Sequence, residues 1–574
     1  MSSRRGVLVL VVALVAAGAV LLVLAERLRA PGAPGAHQLL VYDVPAEIDE
    51  SPPPYGGFSL AALRRERPSF YEVLLAIRDA ADDDRVDGLV LHVDGVDWGW
   101  ARIEEMRAAL RAFRAAGKPV YASLAGGGEQ EYLLASAASR LAMPAIAHLQ
   151  LDGLALSATF LKGTYDKLGV HPNFAHVGRY KSAVESYLRE DFSPPAREAL
   201  DALLDDEYAL LVDSIAVSRG LPPDSVRSLV DDGPWLASEA RQRGLVDTLL
   251  SAADLDSLAL HPRGRRLEPV SLARYLEAGG GGGGERIALV VADGTIVSGR
   301  SHETPWEGRQ LGDQTLVAAL HELRTRRAVR AVVLRVDSPG GSGDASDAIW
   351  QEVRRLRREK PVVVSMGNTA ASGGYYIACG ADVIVADPAT LTGSIGVFGG
   401  KLNVLGLYRK LGLNVETLSR GRHAEMLSPF HDFTPEEEAR FQRQLDDFYR
   451  VFVGRVAEGR RLDPAVVDSV GQGRVWSGVA ARRLGLVDSL GGLETAVEVA
   501  KRRAGIPRAA TVELELWPRQ HRTFLQRWLG GVVGDEDDDT AALEVRGALA
   551  AALAAARFPA GEVLALMPCT VRIR

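Results

Sequence analysis

The chain has 574 residues, and its 67 lysines and arginines are slightly outnumbered by 74 aspartates and glutamates, for a formal net charge of −7. Hydrophobic residues make up 47% of the sequence and charged residues 25%, a balance typical of globular proteins and not of disordered ones. The small acidic excess argues against a general nucleic-acid-binding protein. Its two cysteines, Cys379 and Cys569, are too few for a disulfide framework or a cysteine-rich zinc site.

Near the start of the sequence, residues 6–25 (Gly6–Ala25) form a run without a single charge. A helix of 20 residues rises about 30 Å, which matches the hydrocarbon thickness of a bilayer. Because Arg4 and Arg5 precede the run, we expect a cytoplasmic stub and an extracytoplasmic remainder. The alternative is a cleaved signal peptide, whose apolar core is usually only about 7–15 residues long. Residues 1–30 therefore predict a single-pass anchor in the cytoplasmic (inner) membrane.

The two halves of the sequence resemble each other. Residues 88–95 match 331–338 at an offset of 243, and residues 244–247 match 485–488 at an offset of 241. An offset this regular over a long stretch indicates a duplicated domain. Six consecutive glycines, 279–284, lie between the halves and are typical of a flexible linker. The predicted organisation is a first repeat over 31–278, the linker 279–284, a second repeat over 285–505, and an extension over 506–574 without an assigned role.

Each half alternates apolar β-branched runs with amphipathic helical patterns, which is typical of parallel βαβ units in an α/β domain. Strands are predicted at 331–336, 361–366 and 383–386, and a helix at 345–358. In the extension, the acidic run 535–539 predicts a solvated linker, and the alanine-rich stretch 541–557 predicts a helix.

Two glycine-rich stretches are the best candidates for chemistry, because common metal, nucleotide and α/β-hydrolase motifs are absent from the sequence. One is DSPGG (337–341), where glycine leaves backbone N–H groups open to a ligand. The other is AASGGYY (370–376), which places Ser372 between a predicted strand and a helix. The amides of Gly341 and Gly373 could together hold a developing oxyanion. Both stretches are equally compatible with ordinary turns between a strand and a helix.

Only the second half carries this serine. At the offset of 243, Ser372 lies over Glu129, and such asymmetry is expected when one copy of a duplicated domain holds a nucleophile. A serine nucleophile needs a base, and the residues leave two kinds open. His423 is the histidine candidate for a Ser-His pair, while a lysine would serve if burial lowered its pKa enough to keep it neutral.

Four segments together resemble the signal peptide peptidase A family, in its long form also called protease IV. They are GRYKSA (178–183) in the first half, and DSPGG (337–341), TAASGGY (369–375) and LTGSIG (391–396) in the second. The resemblance covers roughly residues 38–505 and includes the apolar run near the start.

The resemblance implies a tandem duplication of a Clp-protease/crotonase-like domain and a Ser/Lys dyad. In that scheme Ser372 is the nucleophile and Lys181 is the general base. Ser394 would orient the lysine, and the amides of Gly341 and Gly373 would form the oxyanion hole. The long form divides its dyad between the two halves, and the second half here has no lysine at the position that matches Lys181. Neither half is therefore expected to be active alone.

The resulting expectation is a membrane-anchored serine endopeptidase that cleaves apolar peptides such as signal-peptide remnants, with no metal or cofactor. The resemblance also implies a homo-oligomer, a tetramer in the long form, and the sequence predicts no nucleic-acid partner. Two alternatives stay open: an acyl-thioester enzyme on the same fold and an inert membrane scaffold. The membrane anchor argues against the first, because acyl-CoA is cytosolic, and the intact serine and lysine argue against the second.

Overall fold

The computed structural model describes residues 37–52, 68–262, 265–278, 284–304, 308–519, 560–567 and 572–573. The predicted anchor lies outside the described residues, as do the acidic run and the alanine-rich stretch of the extension. Within the described ranges, no helix combines the length and apolar character needed to cross a bilayer.

The first repeat alternates strands and helices along the chain. Its strands are β1 (Gln38–Val44), β2 (Val86–Val93), β3 (Val120–Leu124), β4 (Arg140–Met143), β5 (His148–Leu149), β6 (Leu156–Ser157), β7 (His171–Val177), β8 (Trp235–Leu236), β9 (Thr248–Leu249) and β10 (Glu268–Ser271). Its helices are α1 (Phe70–Asp82), α2 (Trp100–Ala115), α3 (Glu129–Ala135), α4 (Lys162–Leu168), α5 (Glu185–Leu188), α6 (Pro194–Arg219), α7 (Pro223–Asp231), α8 (Ala237–Gln242), α9 (Ala252–Leu260) and α10 (Leu272–Glu277). Six strands form a parallel sheet in the order β10-β1-β2-β3-β4-β9.

The second repeat follows the same plan. Its strands are β11 (Glu285–Asp293), β12 (Thr295–Val297), β13 (His302–Thr304), β14 (Gly308–Gly312), β15 (Val329–Ser338), β16 (Gly340–Ser342), β17 (Val362–Ala371), β18 (Val383–Ala386), β19 (Leu391–Gly393), β20 (Val397–Asn403), β21 (Val475–Ser477) and β22 (Ser489–Leu490). Its helices are α11 (Asp313–Thr325), α12 (Gly343–Leu356), α13 (Gly373–Ala378), α14 (Leu405–Lys410), α15 (Pro435–Arg460), α16 (Pro464–Val470), α17 (Gly478–Arg483) and α18 (Leu493–Arg503). The extension adds β23 (Val512–Trp517), β24 (Leu564–Leu566) and β25 (Arg572–Ile573).

The strand order confirms the duplication that the sequence predicts. The sheet of the second repeat, with β23 of the extension at its edge, contains the parallel order β23-β11-β15-β17-β18-β22, which reproduces the order of the first sheet. Matching side chains also make matching contacts. The Tyr132 hydroxyl donates to the Leu245 carbonyl at 2.9 Å, and the Tyr375 hydroxyl donates to the Leu486 carbonyl at 2.8 Å.

The predicted elements of the second repeat lie close to the observed ones. The strand at 383–386 is confirmed without change. The strand predicted at 331–336 is two residues longer at each end, and the one predicted at 361–366 begins one residue later and continues to Ala371. The helix predicted from residue 345 begins instead at Gly343. It begins early because the Ser342 side chain accepts a hydrogen bond from the Ala345 amide and so caps the first turn.

The core lies on both faces of the second sheet. Along β15, Val332 and Leu334 point into the cluster that contains Ile349 of α12. Ala331 and Val333 point to the opposite face, where α18 covers them. Because both faces are covered, the strand reads as an unbroken apolar run, as buried parallel strands do.

The two repeats are joined by a third sheet, which is mixed and has the order β13-β14-β12-β16-β24-β20-β7. Within it, β7 of the first repeat pairs antiparallel with β20 of the second over seven residue pairs. The extension contributes the fifth strand in this order, β24, between β16 and β20.

Buried charges also cross the junction. The Arg335 guanidinium lies 2.7 Å from a Glu50 oxygen and 2.6 Å from a Glu105 oxygen, and all three side chains are almost fully buried. Arg102 adds a second cation 3.0 Å from Glu50. Arg335 holds the pKa of Glu50 below its usual range even though burial alone would raise it. These ion pairs tie the first repeat to a strand at the centre of the second.

We predict that Arg335→Met destabilises the junction, because it leaves the Glu105 carboxylate buried without a cation. Removing one partner of a buried ion pair typically costs about 3–5 kcal/mol. The midpoint of thermal unfolding, followed by circular dichroism, should fall by at least roughly 5 °C. The matched control is Arg227→Met, which breaks the solvent-exposed pair with Asp224 and should cost less than about 1 kcal/mol. Equal midpoints for the two variants would contradict a stabilising role for the buried pairs.

Candidate active site

Ser372 occupies a sharp turn between β17 and α13. Its backbone has φ 55° and ψ −111°, a conformation that non-glycine residues rarely adopt and that costs about 1–3 kcal/mol. Two hydrogen bonds hold the turn: the Ser372 amide donates to the Gly393 carbonyl at 2.8 Å, and the Tyr376 amide donates to the Ser372 carbonyl at 2.8 Å. At Gly374 a Cβ atom would lie 2.6 Å from the Ser338 carbonyl oxygen, so only glycine fits there.

Lys181 reaches this turn from the other repeat. It lies in the loop after β7, where the Tyr180 amide donates to the Gln472 carbonyl at 2.7 Å. Gly473 packs so tightly against this loop that a Cβ on it would lie 2.6 Å from the Lys181 Cα. The close contact between the two loops, one from each repeat, carries the lysine side chain into the second repeat.

The structure brings Lys181, Ser372 and Ser394 together. The Lys181 Nζ lies 2.8 Å from the Ser372 Oγ, although 191 residues separate them in the chain. It also lies 3.0 Å from the Ser394 Oγ and 3.3 Å from the Ser394 carbonyl oxygen. All three residues are at most 1% exposed. The Lys181 amine is therefore held against the Ser372 hydroxyl, and the Ser394 hydroxyl orients it.

Burial lowers the pKa of Lys181 well below its ordinary value. In the described part of the chain, the hydrogen-bonding partners of its Nζ are two hydroxyls and a carbonyl, and none is a carboxylate. A buried ammonium without an anion is costly, so the neutral amine is favoured. A neutral amine at hydrogen-bonding distance from a hydroxyl can accept its proton.

The loop that holds Gly341 packs closely against Gly373. The contact is made by Gly340, which has φ 99° and where a Cβ atom would lie 2.6 Å from the Gly373 amide nitrogen. A Cβ on Gly341 would overlap the Ile296 carbonyl oxygen, so this loop also requires glycine. Both predicted oxyanion-hole residues thus belong to tightly packed backbone, and both are buried.

Asp337 supports the glycine loop, a role that no pattern in the sequence predicts. Its Oδ1 accepts from the Thr369 amide at 2.9 Å, and its Oδ2 accepts from the Arg102 Nη2 at 2.7 Å. The carboxylate therefore connects the strand before the glycine loop with the strand before Ser372. In the sequence, Asp337 begins the DSPGG stretch and matches Asp94 of the first repeat, but neither pattern indicates a supporting role, and no pattern singles out Arg102.

His423, the alternative base, is not part of this arrangement. Its Nε2 lies 3.3 Å from a carboxylate oxygen of Glu436 on α15. In the described residues, the side-chain hydrogen bonds of Ser372 involve Lys181 and the Gly396 carbonyl, and none involves His423.

In the first repeat, Glu129 stands where the serine would be. Its Oε1 accepts from the amides of Asp152 and Gly153, at 2.9 Å each. The carboxylate thus fixes a loop by hydrogen bonds to its backbone. This position has a structural use in the first repeat and no hydroxyl that could act as a nucleophile.

Comparison with known proteins identifies the family. Residues 112–259 and 354–507 both match Peptidase family S49, one match in each repeat. The chain belongs to peptidase family S49. It is accordingly a serine peptidase, a hydrolase.

Relatives agree with this assignment. The chain is 35% identical over 460 residues to Protease 4 of Salmonella typhi, which covers 77% of this chain and 73% of that protein. It is 34% identical over 446 residues to the chloroplastic serine protease SPPA of Arabidopsis thaliana, covering 76% of this chain and 66% of the relative. Among solved structures, a ClpP1 mutant from Listeria monocytogenes is 14% identical, covers 36% of this chain and 94% of its own, and has a TM-score of 0.25.

We predict that Lys181→Met stabilises the folded protein, because methionine fills similar space without a buried amine. In the wild type the unfolded chain binds a proton at Lys181 that the folded state does not, so wild-type stability rises with pH up to the unfolded pKa of about 10.4. The variant should unfold at least about 2 °C higher near neutral pH, and its advantage should shrink at about pH 9.5.

The matched control for this experiment is Lys167→Met, at an exposed lysine in α4. It should leave the thermal midpoint unchanged at both pH values. A Lys181→Met variant that unfolds at lower temperature than the wild type at neutral pH would contradict a neutral buried amine.

Proposed function

We propose that this S49 peptidase is a membrane-anchored endopeptidase that hydrolyses apolar peptides, such as cleaved signal peptides, with a Ser/Lys dyad divided between its repeats. Ser372 is the nucleophile and Lys181 the general base. The observation that carries the proposal is the buried contact of 2.8 Å between the Lys181 Nζ and the Ser372 Oγ. The described residues place no other basic side chain at hydrogen-bonding distance from that oxygen.

Acylation begins when the Ser372 Oγ attacks the peptide carbonyl carbon and its proton passes to the neutral Lys181 amine. Ser394 keeps the Nζ directed at Ser372, since its hydroxyl and its carbonyl both contact the amine. The amides of Gly341 and Gly373 donate to the oxyanion. Such preorganised donors typically contribute about 10²–10³ in rate each.

Collapse of the tetrahedral intermediate breaks the C–N bond, and the Lys181 ammonium gives its proton to the leaving amine. Water then attacks the acyl-serine with the lysine again as base, which releases a carboxylate and restores Ser372. The neutral amine is needed in both halves of the reaction. Activity is therefore present above the lowered pKa of Lys181 and is lost as the pH falls through it.

The substrates proposed here are extended and apolar. The strands β16 and β20 have room for one strand between them, the place that β24 of the extension occupies in this structure, and strand addition is a common way to bind extended peptides. Ala183, Val184 and Phe398 form an apolar cluster at this place. Because Ala183 and Val184 follow Lys181 in the chain, one loop supplies both the base and part of the apolar lining.

For the rest of the chain we propose an anchor at residues 6–25 in the cytoplasmic membrane, a Clp-protease/crotonase-like class for both repeats, and a homo-oligomer, a tetramer by resemblance. The charge-free run supports the anchor, which would hold the site on the extracytoplasmic side, where signal-peptide remnants are released. The parallel sheet repeated in both halves supports the fold class.

We predict that Lys181→Ala and Ser372→Ala each lower kcat on a fluorogenic apolar peptide by at least about 10³, since each removes one member of a unit. His423→Ala is the control and should leave kcat unchanged. Circular dichroism checks that every variant is folded. A folded Lys181→Ala variant with wild-type kcat would refute the dyad, and hydrolysis of an acyl-thioester without peptide hydrolysis would favour the other enzyme class.

We predict that residues 6–25 are what holds the protein on membranes. The full chain should stay with sedimented membranes after an alkaline carbonate wash, whereas residues 31–574 should be released and still cleave the fluorogenic peptide. A shortened chain that aggregates or is inactive would count against this division of roles.

A further inference from the structure

A segment of the extension lies in the place where the proposed function puts a peptide substrate. The strand β24 pairs antiparallel with the glycine-loop strand β16 and, on its other side, with β20. The register opposite β16 pairs Leu566 with Gly340, Ala565 with Gly341, and Leu564 with Ser342. This stretch of the chain therefore fills the groove by strand addition.

The register directs one particular carbonyl at the predicted oxyanion hole. The Gly343 amide donates to the Val563 carbonyl at 2.9 Å, and the Met567 amide donates to the Pro339 carbonyl at 2.7 Å. In an antiparallel ladder every second residue pair is hydrogen-bonded. Gly343 with Val563 and Pro339 with Met567 are hydrogen-bonded pairs, so Gly341 with Ala565, midway between them, is one as well. The Gly341 amide therefore faces the Ala565 carbonyl oxygen.

The second predicted donor borders the same oxygen. A Cβ on Gly340 would overlap the Ala565 carbonyl oxygen and would lie 2.6 Å from the Gly373 amide nitrogen. A Cβ on Gly373 itself would lie 3.0 Å from that oxygen. The Ala565 carbonyl is thus packed against both glycines that we assign to the oxyanion hole.

The side chains of the segment are held as well. Ala565 is fully buried in the core of the second repeat, and Leu564 is 7% exposed. Leu564 belongs to the cluster with Ala183, Val184 and Phe398, which lines the proposed groove. Both repeats therefore contact the segment, and its two central side chains are an alanine and a leucine, as expected of an apolar substrate.

We propose that residues 563–567 are an internal substrate, which competes with external peptides for the groove and is cut by Ser372 between Ala565 and Leu566. This inference rests on the proposed function. The Ser372 Oγ forms a bond to the Ala565 carbonyl carbon and its proton passes to Lys181. The bond to the Leu566 nitrogen breaks as Lys181 protonates that nitrogen.

One water then hydrolyses the acyl-serine and leaves a carboxylate at Ala565. The released product is the nonapeptide 566–574, LMPCTVRIR, with a new amino group on its leucine. Each cut consumes one water and needs no other reactant. Because the segment is tethered, its effective concentration is of the order of millimolar, so that it competes strongly with a dilute external peptide.

The first test uses the full chain in detergent and identifies released peptides by mass. The wild type should release the nonapeptide 566–574, and Ser372→Ala should not. A wild type that hydrolyses the fluorogenic external peptide yet keeps residues 566–574 attached overturns this inference and leaves the proposed function standing. A wild type that hydrolyses no external peptide is the separate failure of the proposed function.

The second test measures occupancy in the Ser372→Ala background, where the segment cannot be cut. Adding Ala565→Arg places a charge in a fully buried position and should expel the segment, which lowers the Kd of a labelled apolar peptide at least about fivefold. The matched control adds the same arginine at the exposed Ala560 and should leave the Kd unchanged. Equal Kd values for Ala565→Arg and the Ser372→Ala parent overturn the competition. The first test needs no change in the segment and so decides the cleavage even if Ala565→Arg fails to fold.

Discussion

A buried amine without an anion is the constraint on which the rest of the site depends. Lys181 can act as a base only while it is neutral, and burial against two hydroxyls and a carbonyl favours that state. A carboxylate beside it would stabilise the ammonium and remove the base. The fold must therefore exclude water from the amine while keeping negative charge away, and neither repeat encloses it alone.

At the junction between the repeats, the buried carboxylates of Glu50 and Glu105 are paired with arginines and not with Lys181. Arg335, Glu50 and Glu105 are as buried as Lys181, yet each has a partner of opposite sign within 2.7 Å. Within the described residues, by contrast, the hydrogen-bonding partners of the Lys181 Nζ include no carboxylate. The seven residue pairs between β7 and β20 fix the start of the lysine loop against the second repeat. Stable docking of the repeats is thus a condition for the chemistry, since a looser junction would admit water and raise the pKa of Lys181.

How much could be predicted depended on whether a feature is local in the sequence. The strands and the serine turn are local patterns, and the duplication is a repetition of such patterns, so the sequence predicts all three and places the strand at 383–386 without error. Lys181 was reached only through the family resemblance, because 191 residues separate it from Ser372. The sequence does not predict the ion pair between Arg102 and Asp337, because it joins side chains of different repeats and no spacing rule relates residues 235 positions apart.

The glycine loop explains why a segment of the chain's own extension can enter the groove. A peptide must approach β16 closely enough for its carbonyl to reach the Gly341 amide, and any side chain at Gly340 would occupy the space of that carbonyl. The loop must therefore lack side chains at these glycines. An unpaired strand edge of this kind readily pairs with a nearby apolar strand. A tethered segment is always near. Its short apolar pattern has no counterpart in the first repeat, so comparison of the halves could not reveal it, and only the register of β24 on β16 does.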